Sequence, residues 1–203
     1  MAKRFSRKIC DKIIDLGLSK SPVRAITGAQ GPLRDLEKLP LTKIELKELK
    51  ENKRDSEVSW FGEEWIYKEL HPFVHRANKL GKWNFEWDWT EASQFTIYKE
   101  GQYYGWHQDC WDTPYSKFHK HSEQRHKMRK LSSIVLLSNA KDFTGGELEF
   151  NFRNKDPDKG KDIITKCDSL IKKGSMVVFP SFVWHRVTPI KKGVRYTLTN
   201  WHI

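Results

Sequence analysis

The second half of the chain is divided into short runs that are rich in aromatic and β-branched residues. The runs are WNFEWDW, SQFTIY, YYGWHQD, LSSIVLLS, GELEFNF, SMVVFP and RYTLTNWHI. Turn signals separate them, among them Gly101, Gly145 followed by Gly146, and Gly174. Many short strands joined by turns are typical of a sandwich or a barrel. The sequence therefore predicts a jelly-roll core over residues 83–203.

The first half has the periodicity of helices. Ile9, Ile13, Ile14 and Leu16 recur at nearly helical spacing, and residues 44–49 and 62–80 repeat the pattern among good helix formers. Within 62–80, Pro72 is expected to kink or interrupt the helix, and Gly81 is a natural end. We therefore expect an α+β fold in which a helical cap region, residues 1–82, packs on the jelly-roll core, with both parts forming one structural unit.

Composition limits the classes of partner and compartment. The formal net charge is +11 over 203 residues, but the charges are spread through mixed runs such as KELKENKRDSE, which are typical of solvated helix faces. The charge pattern therefore does not favour nucleic acid as the partner, and nucleic-acid binding is kept as an alternative. No stretch approaches the roughly 20 apolar residues of a membrane helix, so no membrane partner is expected. Three distant cysteines without CxxC spacing, and a start that lacks the apolar core of a secretory signal, favour a cytoplasmic protein with reduced thiols.

The stretch YGWHQDC contains a histidine and an aspartate two positions apart. Side chains alternate between the faces of a strand, so His107 and Asp109 point the same way if this stretch is extended. Tyr103, Tyr104 and Trp106 fit a pleated surface and support that reading. The pair could hold one metal ion, or it could be two polar side chains on a solvated strand.

Three segments in this order resemble the prolyl 4-hydroxylase-like branch of the Fe(II)/2-oxoglutarate-dependent dioxygenase superfamily. They are YKEGQYYGWHQD, GGELEF and FPSFVWHRVTPIKKGVR, and RDSEVSW at 54–60 is similar to a further family segment. The most specific part is the order His-x-Asp, a distal histidine, and a basic residue ten positions later. The resemblance covers roughly residues 54–203 and implies a double-stranded β-helix.

The resemblance also implies the roles of individual residues. His107, Asp109 and His185 would be the metal ligands, a facial triad that leaves positions open for 2-oxoglutarate and O2. Arg195 would bind the C5 carboxylate of 2-oxoglutarate, which makes it the fourth catalytic residue. The other expected cosubstrate contacts are Tyr98, from the family pattern, and Thr197, Thr199 and Trp201, which share a strand face with Arg195. Fe(II), 2-oxoglutarate and O2 are the expected cofactors, and ascorbate is a candidate reductant.

The segment WDTPYSKFHKHSEQRHKMRK follows the His-x-Asp stretch and is predicted to be a basic loop over the site. Its positive charge indicates either an acidic or phosphate-bearing substrate or plain solubility, and a second metal site at His119, His121 and His126 is a weaker alternative. Succinate and CO2 are the expected co-products, and a prolyl residue of a peptide or protein is the expected substrate. The alternatives are an oxygenase acting on a nucleobase or a free amino acid, and a non-enzymatic jelly-roll metal-binding module.

Overall fold

The computed structural model describes residues 5–25, 53–119, 121–152 and 163–203. The helix predicted at 44–49 lies outside these residues. Within the described residues, no helix is both long enough and apolar enough to cross a membrane.

Among the described residues, two helices precede the predicted core. Helix α1 covers Arg7–Ser19. Ser6 caps its N-terminus, because the Ser6 side-chain oxygen accepts a hydrogen bond from the backbone N–H of Ile9 at 3.2 Å. Helix α2 covers Glu64–Leu80 and ends before Gly81, as predicted.

The predicted interruption at Pro72 is wrong, because α2 continues through this residue. Proline removes one backbone donor from a helix, which costs stability. The buried face compensates, since Ile66, Leu70 and Val74 have no exposed surface. Tertiary packing therefore decides the outcome.

The described residues contain thirteen strands, and only some of these coincide with the predicted strand runs. Their bounds are β1 Val23–Arg24, β2 Arg54–Asp55, β3 Glu57–Phe61, β4 Ser93–Tyr98, β5 Tyr103–His107, β6 Leu131–Leu136, β7 Phe143–Gly145, β8 Leu148–Asn151, β9 Ile164–Lys166, β10 Met176–Pro180, β11 Trp184–Val187, β12 Ile190–Gly193 and β13 Arg195–His202. A short 3-10 turn covers Ser122–Gln124.

The strands form two main antiparallel sheets and a small ribbon. The larger sheet has the order β1-β3-β4-β13-β6-β10, the smaller sheet has the order β2-β5-β11-β8-β9, and β12 pairs with β7. One face of the larger sheet packs against both helices, with Phe95 and Leu198 of the sheet meeting Ile13 and Leu70 of the helices. The opposite face and the smaller sheet enclose a second apolar cluster. This is the predicted double-stranded β-helix supported by N-terminal helices.

Strands β1, β2 and β3 come before residue 83 and contribute to both main sheets. The division into residues 1–82 and 83–203 stays a prediction about domain organisation. The chain before residue 83 does more than cover the core, because two of these strands border β4 and β5.

The first predicted strand run, WNFEWDW at 83–89, is wrong, since these residues form neither helix nor strand. Trp87 packs instead into a group of histidines, with ring centroids 4.6 Å from His75 and 4.8 Å from His202. His202 is fully buried, and its two ring nitrogens lie 2.9 Å from Thr90 Oγ1 and 3.2 Å from Ser133 Oγ. Aromatic packing on α2 and β13 therefore takes the place of strand pairing.

Candidate active site

Two histidines lie beside each other on neighbouring strands of the smaller sheet. His107 ends β5 and pairs in register with His185 in β11, so their ring centroids are 4.1 Å apart. Asp109 lies beyond the end of β5, and its backbone N–H donates to the carbonyl oxygen of Ser181 at 2.9 Å. The carboxylate is therefore directed by a turn rather than by the strand alternation that the sequence suggested.

Each of the two imidazoles is oriented by its own chain. Nδ1 of His107 lies 2.8 Å from the carbonyl oxygen of Gly105, and Nδ1 of His185 lies 2.8 Å from that of Val183. A carbonyl oxygen only accepts hydrogen bonds, so Nδ1 carries the proton in both rings. The unprotonated Nε2 of each ring is thereby left free to bind a metal.

The three side chains converge on one point. His107 Nε2 lies 3.8 Å from Asp109 Oδ1, His185 Nε2 lies 3.5 Å from Asp109 Oδ2, and all three potential ligand atoms fall within 4.8 Å of one another. Asp109 Oδ2 is buried without a hydrogen-bond partner, which is unusual for a carboxylate oxygen. Two imidazoles and one carboxylate are the donor set of non-haem iron sites, so these residues fit Fe(II).

The protonation states suit metal binding. Burial, and then the neighbouring His185, lower the pKa of His107 to about 3, so its imidazole is neutral at pH 7. Burial alone would raise the pKa of Asp109, but His185, His107 and Arg129 outweigh it and the pKa lies below its usual value. Asp109 is therefore a carboxylate at neutral pH.

A β-bulge adds an aromatic side chain to the triad. His185 pairs with His107, whereas Val187 pairs with Tyr104, so β5 carries one residue more than β11 between these pairs. The extra residue brings Tyr104 onto the His107 side, where the rings stack with centroids 3.5 Å apart. The guanidinium of Arg54 lies 4.4 Å from the Tyr104 ring. Sequence analysis missed both residues, although Arg54 begins the RDSEVSW segment.

A buried salt bridge supports the other side of the triad. Arg129 donates from Nε and Nη2 to the two carboxylate oxygens of Glu91 at 2.8 and 2.6 Å. Its Nη1 donates to the backbone oxygen of Asp109 at 3.2 Å, and its guanidinium lies 4.0 Å from the Trp201 ring. Tyr115 donates to the same Glu91 carboxylate at 2.7 Å. Sequence analysis also missed this network, because Arg129 resembled one more cation of the basic loop.

Arg195 lies at the start of β13 and pairs with Tyr98 in β4. Only 2% of its surface is exposed, and its guanidinium lies 5.6 Å from the Tyr98 ring. Among the described residues, no carboxylate lies within 4.0 Å of the guanidinium and none of its nitrogens makes a hydrogen bond within the protein. Burial lowers the pKa of Arg195, but a guanidinium is not deprotonated in proteins, so the side chain is charged. A buried, unpaired cation is costly and fits an anionic ligand.

The expected cosubstrate residues form a row along β13. Arg195, Thr197, Thr199 and Trp201 alternate along the strand and therefore point to the same side, toward the interior that Tyr98 also faces. Trp201 marks the triad end of the row, because Arg129 contacts both its ring and the Asp109 backbone. Arg195 marks the opposite end.

Cations of the basic loop make an ion pair and a hydrogen bond within the protein. Lys127 pairs with Asp88 at 2.5 Å, and Arg125 donates to the carbonyl oxygen of His119 at 2.8 Å. The alternative metal site at His119, His121 and His126 finds no support among the described residues, where the only group with metal-ligand geometry is the triad at His107.

Residues 93–203 match the family model of the 2OG-Fe(II) oxygenase superfamily, which is more than half of the chain. The chain belongs to this superfamily. Its members use Fe(II), 2-oxoglutarate and O2, and the two-histidine, one-carboxylate group has the composition and geometry of a metal site that fits such chemistry. The predicted family is confirmed.

The relatives lie in the hydroxylase part of the superfamily. A PKHD-type hydroxylase of Synechococcus sp. (strain CC9902) is 34% identical over 101 residues, which are 50% of this chain and 36% of the relative. The chain therefore spans about a third of that relative's length.

Two solved structures share the fold. A viral collagen prolyl hydroxylase from Paramecium bursaria Chlorella virus-1, in its 2-oxoglutarate complex, has a TM-score of 0.59 at 20% identity and covers 98% of this chain and 91% of its own. A prolyl hydroxylase from Trichoplax adhaerens, in complex with a hypoxia inducible factor peptide fragment, has a TM-score of 0.57 at 18% identity, covering 95% of this chain and 75% of its own.

Proposed function

We propose that this protein is an Fe(II)/2-oxoglutarate-dependent dioxygenase that hydroxylates a prolyl residue of a peptide or protein, with succinate and CO2 as co-products. One observation carries the proposal: the triad of His107, Asp109 and His185 faces the same interior as the buried, unpaired Arg195. Membership of the superfamily supports the reaction type. The prolyl substrate is supported by the prolyl hydroxylases among the structural neighbours.

The metal would be held by His107 Nε2, His185 Nε2 and one oxygen of Asp109. When bound, iron and 2-oxoglutarate together supply an oxidative decarboxylation, in which one oxygen atom of O2 enters succinate and the other becomes the hydroxyl on the substrate carbon. The protein positions the ligands through the carbonyl oxygens of Gly105 and Val183 and keeps His107 neutral by burial. Stacking of Tyr104 limits access of water to one face of His107.

The cosubstrate would lie along β13, with its C5 carboxylate on Arg195. A guanidinium can grip a carboxylate with two parallel hydrogen bonds, and no protein carboxylate among the described residues competes for it. Thr197 adjoins Arg195 on the interior face, and Thr199 is one step nearer to the triad. Tyr98 pairs with Arg195 across β4 and β13, and burial raises the pKa of its phenol.

Trp201 would contribute at the metal end of the row. Its indole N–H is buried without a hydrogen-bond partner, so it can donate to a bound group. Four residues of the row span about 20 Å at 3.3 Å per residue, so a single small dicarboxylate contacts only a part of it.

The acidic-substrate hypothesis depends on few side chains. In the basic loop, Lys127, Arg129 and Lys130 are engaged with Asp88, Glu91 and the carbonyl oxygen of Glu86. Among the described lysines of this loop, Lys117 has no acidic partner, so attraction of an acidic substrate would depend on it more than on Lys127 or Lys130. Trp111 and Phe182 are close in sequence to Asp109 and His185 and have about two fifths of their surface exposed, and they would contact the apolar part of a peptide.

The test is a succinate-release assay with Fe(II) and 2-oxoglutarate, run with proline-containing peptides, free amino acids and methylated oligonucleotides. Substrate-coupled turnover with the peptides alone is the expected result. Turnover with oligonucleotides or free amino acids alone would replace the prolyl substrate, and no turnover with any of them would favour the metal-binding module.

Variants of the triad distinguish loss of metal binding from loss of folding. His107→Ala, Asp109→Ala and His185→Ala should each abolish turnover while the protein stays folded, because the sheets have their own apolar core. His121→Ala is the matched control, since this histidine is exposed and lies outside the triad. Unfolding of all three triad variants would instead indicate a structural metal.

A further inference from the structure

One free cysteine borders the interior between the two sheets. Cys167 follows β9, and its backbone N–H donates to the carbonyl oxygen of Leu148 at 2.8 Å. Its side chain packs against the interior apolar cluster that includes Tyr98, Leu136 and Leu148. Cys167 is only partly buried and its Sγ lies 3.3 Å from Ser169 Oγ, so the thiol is reachable from solvent at the edge of this interior.

The same part of the interior holds the unpaired guanidinium. A Cβ atom on Gly146 would lie 3.0 Å from Arg195 Cδ, so the turn before β8 touches the arginine side chain, and Leu148 is two residues further on. Burial lowers the pKa of Arg195, and Tyr98, Cys167 and Glu147 are the groups that act in the opposite direction. Glu147 is not an ion-pair partner, because its carboxylate accepts from Thr188 Oγ1 at 2.6 Å. Arg195 thus fits an anionic ligand, and Cys167 packs on the same apolar cluster as Tyr98, the strand partner of Arg195.

We propose that Cys167 is a modification site that controls the cosubstrate pocket: a group bonded to its sulfur occupies space beside the Arg195 guanidinium and weakens binding of 2-oxoglutarate. The inference rests on the proposed function, because it takes Arg195 as the carboxylate-binding group. The modifying agents are electrophiles of the alkyl halide class. The thiolate sulfur attacks the carbon of iodoacetamide, a sulfur–carbon bond forms, the carbon–iodine bond breaks, iodide leaves, and the thiol proton goes to solvent.

The chain provides two internal controls. Burial raises the pKa of Cys10 to about 11, so this thiol is mostly protonated and unreactive at pH 7. Cys110 is partly buried like Cys167 but follows Asp109, and burial together with Asp109 and Asp112 raises its pKa. Cys110 reports changes at the triad end, whereas Cys167 reports the Arg195 end.

The experiment combines labelling with binding. The Mn(II)-loaded protein is treated with iodoacetamide with and without 2-oxoglutarate, and the labelling rate of each cysteine is followed by peptide mass spectrometry. We expect 2-oxoglutarate to slow labelling of Cys167 more than labelling of Cys110. After labelling, titration with 2-oxoglutarate should give a dissociation constant about tenfold higher than before treatment, which corresponds to about 1.4 kcal/mol. In Cys167→Ser, the same treatment should not change the constant, whereas Cys110→Ser should lose affinity as the unaltered chain does.

The outcomes distinguish this inference from the function on which it rests. If untreated protein binds no 2-oxoglutarate, the proposed function fails and the inference fails with it. If untreated protein binds 2-oxoglutarate, but Cys167 resists labelling or full labelling leaves the dissociation constant unchanged, only the inference is overturned. An equal loss of affinity in treated Cys167→Ser would assign the effect to another site and would overturn it as well.

Discussion

Breaking the buried pair of Arg129 and Glu91 should destabilise the fold strongly, because it leaves one buried charge unpaired. Their side chains are 11% and 6% exposed, and two hydrogen bonds of 2.8 and 2.6 Å join them. In Arg129→Met the Glu91 carboxylate stays buried without its cation. Removing one partner of such a pair costs about 3–5 kcal/mol. For a chain of this length, that corresponds to a fall in Tm of about 6–20 °C.

A second arginine of the same protein provides the matched control. Arg186 donates to Glu149 at 2.7 Å and lies 4.6 Å from the Trp106 ring, so it makes the same two kinds of contact. Its side chain is 35% exposed, and solvent screens the pair. We therefore expect Arg186→Met to lower the free energy of unfolding by less than about 1 kcal/mol.

The assay is urea unfolding followed by tryptophan fluorescence, on the metal-free protein so that metal binding does not contribute. A double-mutant cycle with Glu91→Leu isolates the pair, because the double variant leaves no unpaired charge. Its loss of stability should be smaller than the sum of the two single losses by about 0.5–3 kcal/mol. Equal losses in Arg129→Met and Arg186→Met, or strictly additive losses in the cycle, would refute the reasoning.

Three further predictions concern other parts of the molecule. Arg195→Lys should weaken 2-oxoglutarate binding without preventing metal binding, and Arg195→Ala should weaken it further, by about 10- to 100-fold for a loss of about 1.5–3 kcal/mol; an unchanged dissociation constant in a titration with metal present would remove Arg195 from the site. Burial lowers the pKa of His202 to about 3, whereas an unfolded histidine has a pKa of about 6.5. Below pH 6.5 the unfolded chain therefore binds the additional proton, and this residue destabilises the fold by about 1.4 kcal/mol per pH unit down to about pH 3; in urea titrations, His202→Asn should lose less stability than the unaltered chain between pH 6.5 and 5, and parallel losses would contradict the assignment. Pro72→Ala should raise the free energy of unfolding by at most about 3 kcal/mol, because it restores a backbone donor on the exposed side of α2. The urea midpoint should rise accordingly, and a lowered midpoint would show that proline is required there.

The features that could be predicted were those encoded by short patterns. Strands such as Ser93–Tyr98 and Met176–Pro180 have compositions that indicate them directly. His107, Asp109 and His185 were singled out by their order along the chain, and the structure brings these three side chains together. The WNFEWDW run misled because its aromatic residues fit a strand equally well, and contact of Trp87 with His75 and His202 decided otherwise.

The support of the site was hidden because it joins distant parts of the chain. Arg129 and Glu91 are 38 residues apart, and no local pattern connects them. The stacking of Tyr104 on His107 depends on a bulge, which shifts the two-residue alternation by one position. The identity of a ligand was therefore more predictable than the identity of its neighbours.

The anchoring of both imidazoles by carbonyl oxygens two residues earlier in their own chain has a consequence for which metal the protein acquires. Because these bonds fix the rings without help from a metal, ion capture requires little loss of side-chain entropy, and affinity follows the intrinsic preference of the donors. For nitrogen and oxygen ligands that preference rises from manganese through iron and cobalt to nickel and copper, with zinc below copper. A prearranged cage of this kind binds several abundant ions more tightly than it binds iron. Correct loading is then a matter of cellular supply, and we expect protein isolated without added iron to carry a competitor that binds these donors more tightly.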